Sequence, residues 1–202
     1  MLNKTYELSD KLFNDDCSTN KLSDYSLVLR SAGGSETLSY SSDYNQMIVN
    51  GGDWHAYSPI KVSTSDEWRL EVDITQINQA RGVYLALGLV QSSSIYSSFI
   101  GYSSNNVWGV YGYGQPNTWI VPQRTVVGHF KLNTWYTFVL ECENGMFNYY
   151  IYLEDGTLLD SASVSIPTAY QDKEVDLCIF GYPALSSPSV TYRWKNFKVT
   201  AL

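Results

Sequence analysis

The segment covering residues 105–121 has the residue types of a binding surface, because its aromatic residues alternate with glycines. It reads N-N-V-W-G-V-Y-G-Y-G-Q-P-N-T-W-I-V. A glycine beside a ring removes side-chain bulk, and aromatic rings among small residues give an amphipathic surface that loses little entropy on contact. Such rings stack on the C–H faces of sugars. We therefore expect a carbohydrate-stacking surface formed by Trp108, Tyr111, Tyr113 and Trp119.

A second interpretation of this segment stays open. A strand bent by glycines also packs its rings into the core, and tyrosine and tryptophan are good strand formers in any setting. The preceding residues Tyr96, Phe99 and Tyr102 have a weaker case for flanking the same surface.

Polar side chains elsewhere in the sequence are candidates for hydrogen bonds to sugar hydroxyls. The residues expected to donate or accept these bonds are Glu71, Asp73 and Asn106. Trp54 and His55, in the segment G-G-D-W-H-A-Y, are expected to line an edge of the site. A glycan or polysaccharide is therefore the predicted partner.

Catalysis is not predicted, and no residue is assigned a catalytic role. The two histidines are not accompanied by the nucleophile elbow G-x-S-x-G. The three cysteines are an odd number without a C-x-x-C spacing, so neither a disulfide framework nor a zinc site is expected. A lyase-type arrangement of Tyr84, His55 and Arg81 stays an alternative, because such sites assemble only in space.

Composition narrows the partner class. The chain has 20 acidic and 13 basic residues and a net charge of -7, with no basic run, which argues against nucleic acid. No stretch of about 18 apolar residues predicts a membrane span. The start M-L-N-K-T-Y-E-L-S-D lacks a signal-peptide pattern. We expect an extracellular or virion-associated protein, either a virion component or a module of a larger secreted chain, with oligomerisation left open.

Period-2 alternation dominates the chain and predicts the elements that must position these residues. Strands are expected at 68–75, 134–142, 146–153 and 157–163, with two-residue hairpin turns at Asn144-Gly145 and Asp155-Gly156. Further strands are expected at 25–30, 36–40, 44–49, 54–57, 82–90, 175–181 and 190–199, the last with a bulge near Lys195-Asn196. This pattern predicts a single all-β domain, 1–202, with two antiparallel sheets in a sandwich.

Four segments resemble the concanavalin A-like lectin/glucanase superfamily, particularly its laminin-G-like and carbohydrate-binding-module branches. They are L-F-N-D-D-C-S-T-N-K-L-S-D-Y-S, E-W-R-L-E-V-D-I-T, L-N-T-W-Y-T-F-V-L-E-C-E-N-G-M-F-N-Y-Y-I-Y and Y-R-W-K-N-F-K-V. The resemblance implies a jelly roll. The same fold hosts lectins, hydrolases, lyases and structural domains, so it implies much less about activity.

The resemblance also implies one enzymatic alternative. Residues 71–76, E-V-D-I-T-Q, are similar to the E-x-D-x-x-E strand of retaining glucanases, in which the first Glu is the nucleophile and the last the acid/base. Retaining hydrolysis needs two carboxyl groups about 5–5.5 Å apart. Here Gln76 stands at the last position and supplies no carboxyl group.

Carboxylates near the start raise the hypothesis of a structural Ca²⁺ at Asp15-Asp16, since hard cations prefer oxygen ligands. The function expected from these residues is non-catalytic carbohydrate binding. The alternatives left open are a viral or phage-type structural or receptor-binding domain, and a glycoside hydrolase or polysaccharide lyase of the same fold.

Overall fold

The computed structural model describes residues 12–25, 27–29, 35–50, 55–78, 83–92, 94–102, 107–114, 117–128, 130–181 and 189–202. Within these ranges the chain forms fifteen strands and one 3-10 turn, Leu22–Asp24. The strands are β1 (Phe13–Asp15), β2 (Leu27–Leu29), β3 (Ser35–Ser41), β4 (Tyr44–Asn50), β5 (His55–Ser63), β6 (Trp68–Gln76), β7 (Val83–Ser92), β8 (Ile95–Tyr102), β9 (Val107–Tyr113), β10 (Thr118–Thr125), β11 (Tyr136–Glu143), β12 (Met146–Leu153), β13 (Leu158–Ser165), β14 (Glu174–Gly181) and β15 (Val190–Ala201). No helix long and apolar enough to cross a membrane occurs in the described ranges.

Two antiparallel sheets form a sandwich, as the alternation predicts. The eight-stranded sheet has the order β13-β12-β11-β6-β15-β4-β3, with β1 also paired to β15. The seven-stranded sheet has the order β10-β9-β8-β7-β14-β5-β2. Both sheets therefore mix hairpin neighbours with strands distant in sequence, which places residues from both halves of the chain side by side.

Strand β6 shows why the sheets face each other. Trp68, Leu70 and Val72 are at most 1% exposed, whereas Arg69 and Glu71 between them are only half-buried. Alternate side chains of a strand point to opposite faces of its sheet. One face of β6 therefore packs into the core between the sheets, and the other is the outer face of the eight-stranded sheet.

The hairpin joining β11 to β12 confirms the predicted two-residue turn. Asn144 and Gly145 have φ values of 51° and 72°, the left-handed backbone that this turn requires. The second predicted turn differs, because only Gly156 has positive φ, at 81°. The Asp155 carboxylate accepts a hydrogen bond from the Thr157 amide (2.9 Å), so the chain closes through a longer loop and resumes pairing at Leu158.

The last strand contains the predicted bulge. The register between β15 and β6 shifts between Lys195 and Lys198, and Asn196 adopts φ 54°. The extra residue keeps both ends of β15 in the core, because Trp194 and Phe197 are each 0% exposed.

The predicted strand at 25–30 starts too early. The observed strand is Leu27–Leu29, and Tyr25 before it turns into the core to donate a hydrogen bond to Asp15 (2.6 Å). Asp15 also accepts a bond from the Asn45 side chain (2.7 Å), and the Trp194 indole donates to the Tyr25 hydroxyl (3.3 Å). This buried network fixes the segment around β1 against β4 and β15.

Candidate functional site

Four partly exposed aromatic rings lie together on the outer face of the seven-stranded sheet. Tyr96 and Tyr113 are partners in register, and their rings stack with centroids 4.5 Å apart. The Tyr111 ring packs edge-to-face against Tyr113 at 4.7 Å and against Trp119 at 5.3 Å. We call these four residues the aromatic face. Because each ring holds the next in place, a ligand that stacks on them immobilises few free side chains.

A glycine makes this arrangement compatible with the strand pairing. A Cβ atom at Gly109 would lie 2.8 Å from the Trp119 ring and 2.9 Å from the Val121 carbonyl oxygen. The Trp119 ring therefore rests directly on the backbone of β9. The room that this glycine leaves is taken by the indole and not, as the sequence predicted, by a ligand.

Trp108 is not part of the aromatic face, so its predicted role in stacking is wrong. Its side chain is 0% exposed, and that of Val110 two residues on is 1% exposed, because the even-numbered positions of β9 point into the core. The Trp108 ring packs against Phe99 at a centroid distance of 5.0 Å. Phe99 is itself 1% exposed, so it does not flank a surface either.

A polar clasp beside Trp108 joins the edges of the two sheets. The Asp160 carboxylate on β13 accepts hydrogen bonds from the Trp108 indole (2.9 Å) and from Arg124 Nε and Nη2 on β10 (2.8 Å each). The hydrogen bond from Arg124 lowers the pKa of Asp160, against the opposing effect of partial burial. The clasp therefore ties β10, the edge strand that carries Trp119, to the opposite sheet.

Glu71 and Asp73 lie on the other side of the molecule, so their predicted role beside the aromatic rings is wrong. Both are on the outer face of the eight-stranded sheet. Glu71 forms a salt bridge with Arg69 (2.9 Å). Asp73 accepts hydrogen bonds from Thr137 Oγ1 (2.6 Å) and Asn196 Nδ2 (2.7 Å). The core of the sandwich separates these carboxylates from the aromatic face.

The glucanase-like strand is further from a catalytic pair than its sequence shows. Glu71 and Gln76 are five residues apart on one strand and therefore point to opposite faces. Gln76 is 0% exposed on the core side, where its register partner is Tyr192. A glutamate at this position would face the core and not Glu71, so a single substitution would not restore the two-carboxyl geometry of a retaining enzyme.

The Asp15-Asp16 pair does not present free oxygens to a cation. Both Asp15 oxygens accept hydrogen bonds from protein donors, among them the Cys17 amide at 3.1 Å, and the carboxyl group is 1% exposed. Asp16 is exposed and caps the Ser18 amide at 3.0 Å. In the part of the chain that the structure describes, no three His, Cys, Asp or Glu side chains cluster as a metal site would require.

The aromatic face has a carboxylate neighbour that the sequence analysis missed. Strand register places Tyr96 opposite Val90 and Val90 opposite Asp176, whose other partner is Lys61 on β5. Asp176 is half-buried on the outer face, about 10 Å from Tyr96 at two strand spacings. Its position between Val175 and Leu177 was the available signal, because a charge inside an apolar strand marks the outward side.

Three predicted site residues give no structural test. Asn106 and Trp54 lie outside the described residues, and so does the side chain of His55, although its backbone begins β5. Tyr102, on β8, has a described backbone only.

A larger cleft of about 740 Å³ opens where Trp68 and Val62 approach the C-terminal residue Leu202. Its one aromatic ring, Trp68, is 1% exposed and donates its indole hydrogen bond to the Ser63 carbonyl oxygen (2.9 Å). The cleft therefore offers no ring face to a sugar, and the aromatic face is the better candidate for stacking.

Comparisons with solved structures identify the architecture. A carbohydrate-binding module, CBM66 from Bacillus subtilis, superposes with a TM-score of 0.58 at 15% identity, covering 84% of this chain and 96% of that chain. A Bacillus subtilis protein of unknown function with a galectin-like fold gives a TM-score of 0.64 at 9% identity, covering 96% and 97%. The lectin UEA-II, complexed with galactose, gives 0.59 at 12% identity, covering 93% and 97%.

No family profile and no curated protein sequence matches this chain. The structural matches are all below 25% identity and so bear on the fold. They agree with the strand order and the core described above. The chain has the two-sheet antiparallel jelly roll of the concanavalin A-like lectins and carbohydrate-binding modules.

Proposed function

We propose that this protein is a non-catalytic carbohydrate-binding domain whose aromatic face stacks on sugar rings. The observation that carries the proposal is the set of four partly exposed, mutually packed rings Tyr96, Tyr111, Tyr113 and Trp119. Proteins of the same fold include a module and lectins whose names state carbohydrate binding, one of them complexed with galactose.

The geometry of the aromatic face suits a neutral, hydroxyl-rich ligand. Tyr111 and Trp119 meet at 86°, so the face of one ring stands beside the edge of the other. The faces offer apolar contact to C–H groups, and the phenol and indole edges supply polar atoms. Asn117, at hydrogen-bond distance from the Tyr111 hydroxyl (3.4 Å), and Asp176 add amide and carboxylate groups. A partner with alternating apolar and polar faces matches this surface.

The test is affinity electrophoresis of the native protein through gels containing polysaccharides, guided by a glycan array. Trp119→Ala should weaken binding of the retarding polysaccharide about tenfold or more, because Trp119 is an aromatic anchor at the centre of the surface. Tyr152→Ala is the matched control. Tyr152 stacks on Tyr150 with centroids 6.3 Å apart, on the eight-stranded sheet, and its loss should leave retardation unchanged.

Gly109→Ala supplies a second variant that leaves every aromatic side chain in place. The new Cβ would occupy the position of the Trp119 ring and displace it from the strand. Binding should fall as it does for Trp119→Ala. Retention of wild-type affinity by both variants, with the polysaccharide bound, would contradict the aromatic face as the site.

A further inference from the structure

A small pocket of about 230 Å³ lies on the opposite side of the molecule, on the outer face of the eight-stranded sheet. Four neighbouring strands contribute to it. Thr75 on β6 is the register partner of Arg193 on β15, and Trp135 immediately precedes β11 beside Thr75. Tyr44, at the start of β4, closes the far side, and Lys195 follows on β15. We call these five residues the cation pocket.

The two cations of the pocket are held in place without being neutralised. The Arg193 guanidinium lies 4.2 Å from the centroid of the Tyr44 ring and donates a hydrogen bond to Gln46 Oε1 (2.8 Å). Lys195 Nζ lies 4.5 Å from the centroid of the Trp135 ring. The ion pairs found among the described residues join Arg69 to Glu71 and Glu141, and Arg124 to Asp160, so neither pocket cation forms one. Cation–π contact fixes a positive charge but leaves it free to attract an anion.

A buried hydroxyl in the pocket wall is the second, independent observation. Thr75 is 2% exposed, and its Oγ1 atom has no hydrogen-bond partner among the described residues. A buried polar atom without a partner costs roughly 1–3 kcal/mol, and such atoms usually indicate a group that is absent from the structure. Thr75 adjoins Arg193 in register, so a ligand that contacts the guanidinium is placed to bond to this hydroxyl.

We propose that the cation pocket binds the carboxylate and adjoining hydroxyls of a small sugar acid, such as a uronate. The volume is below the roughly 300 Å³ at which pockets begin to take drug-sized ligands, so it suits a single ring. Asp43 also lines the pocket and offsets one of the two positive charges. The remaining charge matches a singly ionised carboxylate better than a dianionic phosphate, and the buried hydroxyl suits a ligand with hydroxyl groups.

This proposal is independent of the aromatic face, which lies on the other sheet. The probe is sodium glucuronate, titrated into the whole protein by isothermal calorimetry, with glucose, sodium acetate and sodium sulfate as comparison ligands. Glucuronate should bind, and the three comparison ligands should bind at least tenfold more weakly. Glucuronate binding indistinguishable from that of acetate or sulfate would overturn the sugar acid as the ligand class, and no glucuronate binding would overturn the site.

Variants separate ligand recognition from folding. Thr75→Val keeps the side-chain shape and removes only the unpartnered hydroxyl, so the free protein should be as stable as wild type or more so, while glucuronate affinity falls about fivefold. Lys195→Met should reduce affinity by a similar factor. Lys198→Met removes the same charge from the same strand beyond the bulge, where Lys198 pairs in register with Glu71, and should have little effect. Wild-type affinity in both Thr75→Val and Lys195→Met would refute the assignment.

Discussion

Replacing Asp160 with alanine tests the clasp that holds the edge strand of the aromatic face. The carboxylate accepts hydrogen bonds from the buried Trp108 indole, from two nitrogens of Arg124 and from the Ser161 amide (2.8 Å). Loss of the acceptor leaves the indole N–H of a 0% exposed residue without a partner, which costs about 1–3 kcal/mol. The Arg124 side chain is 46% exposed, so solvent screening limits the ion pair to less than about 1 kcal/mol.

The expected destabilisation by Asp160→Ala is therefore about 2–3 kcal/mol, or roughly 5–10 °C in melting temperature for a chain of this length. Asp160→Asn retains an oxygen that can accept from Trp108 and loses only the charge, so it should cost about 1 kcal/mol. Urea denaturation at neutral pH, followed by tryptophan fluorescence, measures both values. Arg124→Gln is the matched control for the ion pair alone and should cost less than about 1 kcal/mol.

The clasp also predicts a pH dependence with a definite sign. The pKa of Asp160 is lowered in the folded protein, so its contribution to stability is present above the unfolded pKa of about 4 and is lost as the pH falls through the lower folded pKa. The stability difference between wild type and Asp160→Asn should therefore shrink as the solution is acidified below about pH 4. Equal stability of wild type and Asp160→Ala at neutral pH, or a wild-type advantage over Asp160→Asn that grows in acid, would refute the reasoning.

Three other predictions concern the buried network, the thiols and the cation pocket. Tyr25→Phe removes the acceptor of the Trp194 indole and one donor to the buried carboxylate, so it should cost about 2–4 kcal/mol in urea denaturation; a cost below 1 kcal/mol would contradict the network. Burial raises the pKa values of Cys17 and Cys142 to about 11, so the native protein at pH 8 should react with a thiol reagent far more slowly than the denatured chain, which releases three thiols; equal rates would contradict the burial. Asp43→Asn should tighten glucuronate binding about twofold by removing a negative charge at the pocket rim, and weaker binding would contradict the proposed charge balance.

Much of the fold could be predicted because local alternation and turn chemistry carry it. The polar and apolar sides of β6 are distinct in the sequence, and Asn144-Gly145 requires a specific turn, so both predictions are confirmed. The faces of β9 were ambiguous because each carries a large aromatic ring. The residue that bonds to the Trp108 indole is Asp160, 52 positions away, and no local pattern identifies it.

The composition of the candidate site could be predicted only in part, since a strand pattern does not say which sheet the strand joins. Glu71 and the rings around Tyr111 are both outward-facing in sequence terms, but they belong to different sheets. The cation pocket escaped notice for the same reason. Trp135, Thr75 and Arg193 come from three distant segments and meet only through strand register.

The most direct measurement of the central claim is an NMR titration of the ¹⁵N-labelled protein with the oligosaccharide that best represents its retarding polysaccharide. The account predicts that the Trp119 indole N–H resonance and the backbone amides of Tyr111 and Tyr113 shift with a common saturation curve, while the buried Trp108 indole, bonded to Asp160, moves little. Saturable shifts confined to the eight-stranded sheet, with the Trp119 signal unchanged, would contradict the aromatic face as the carbohydrate-binding surface.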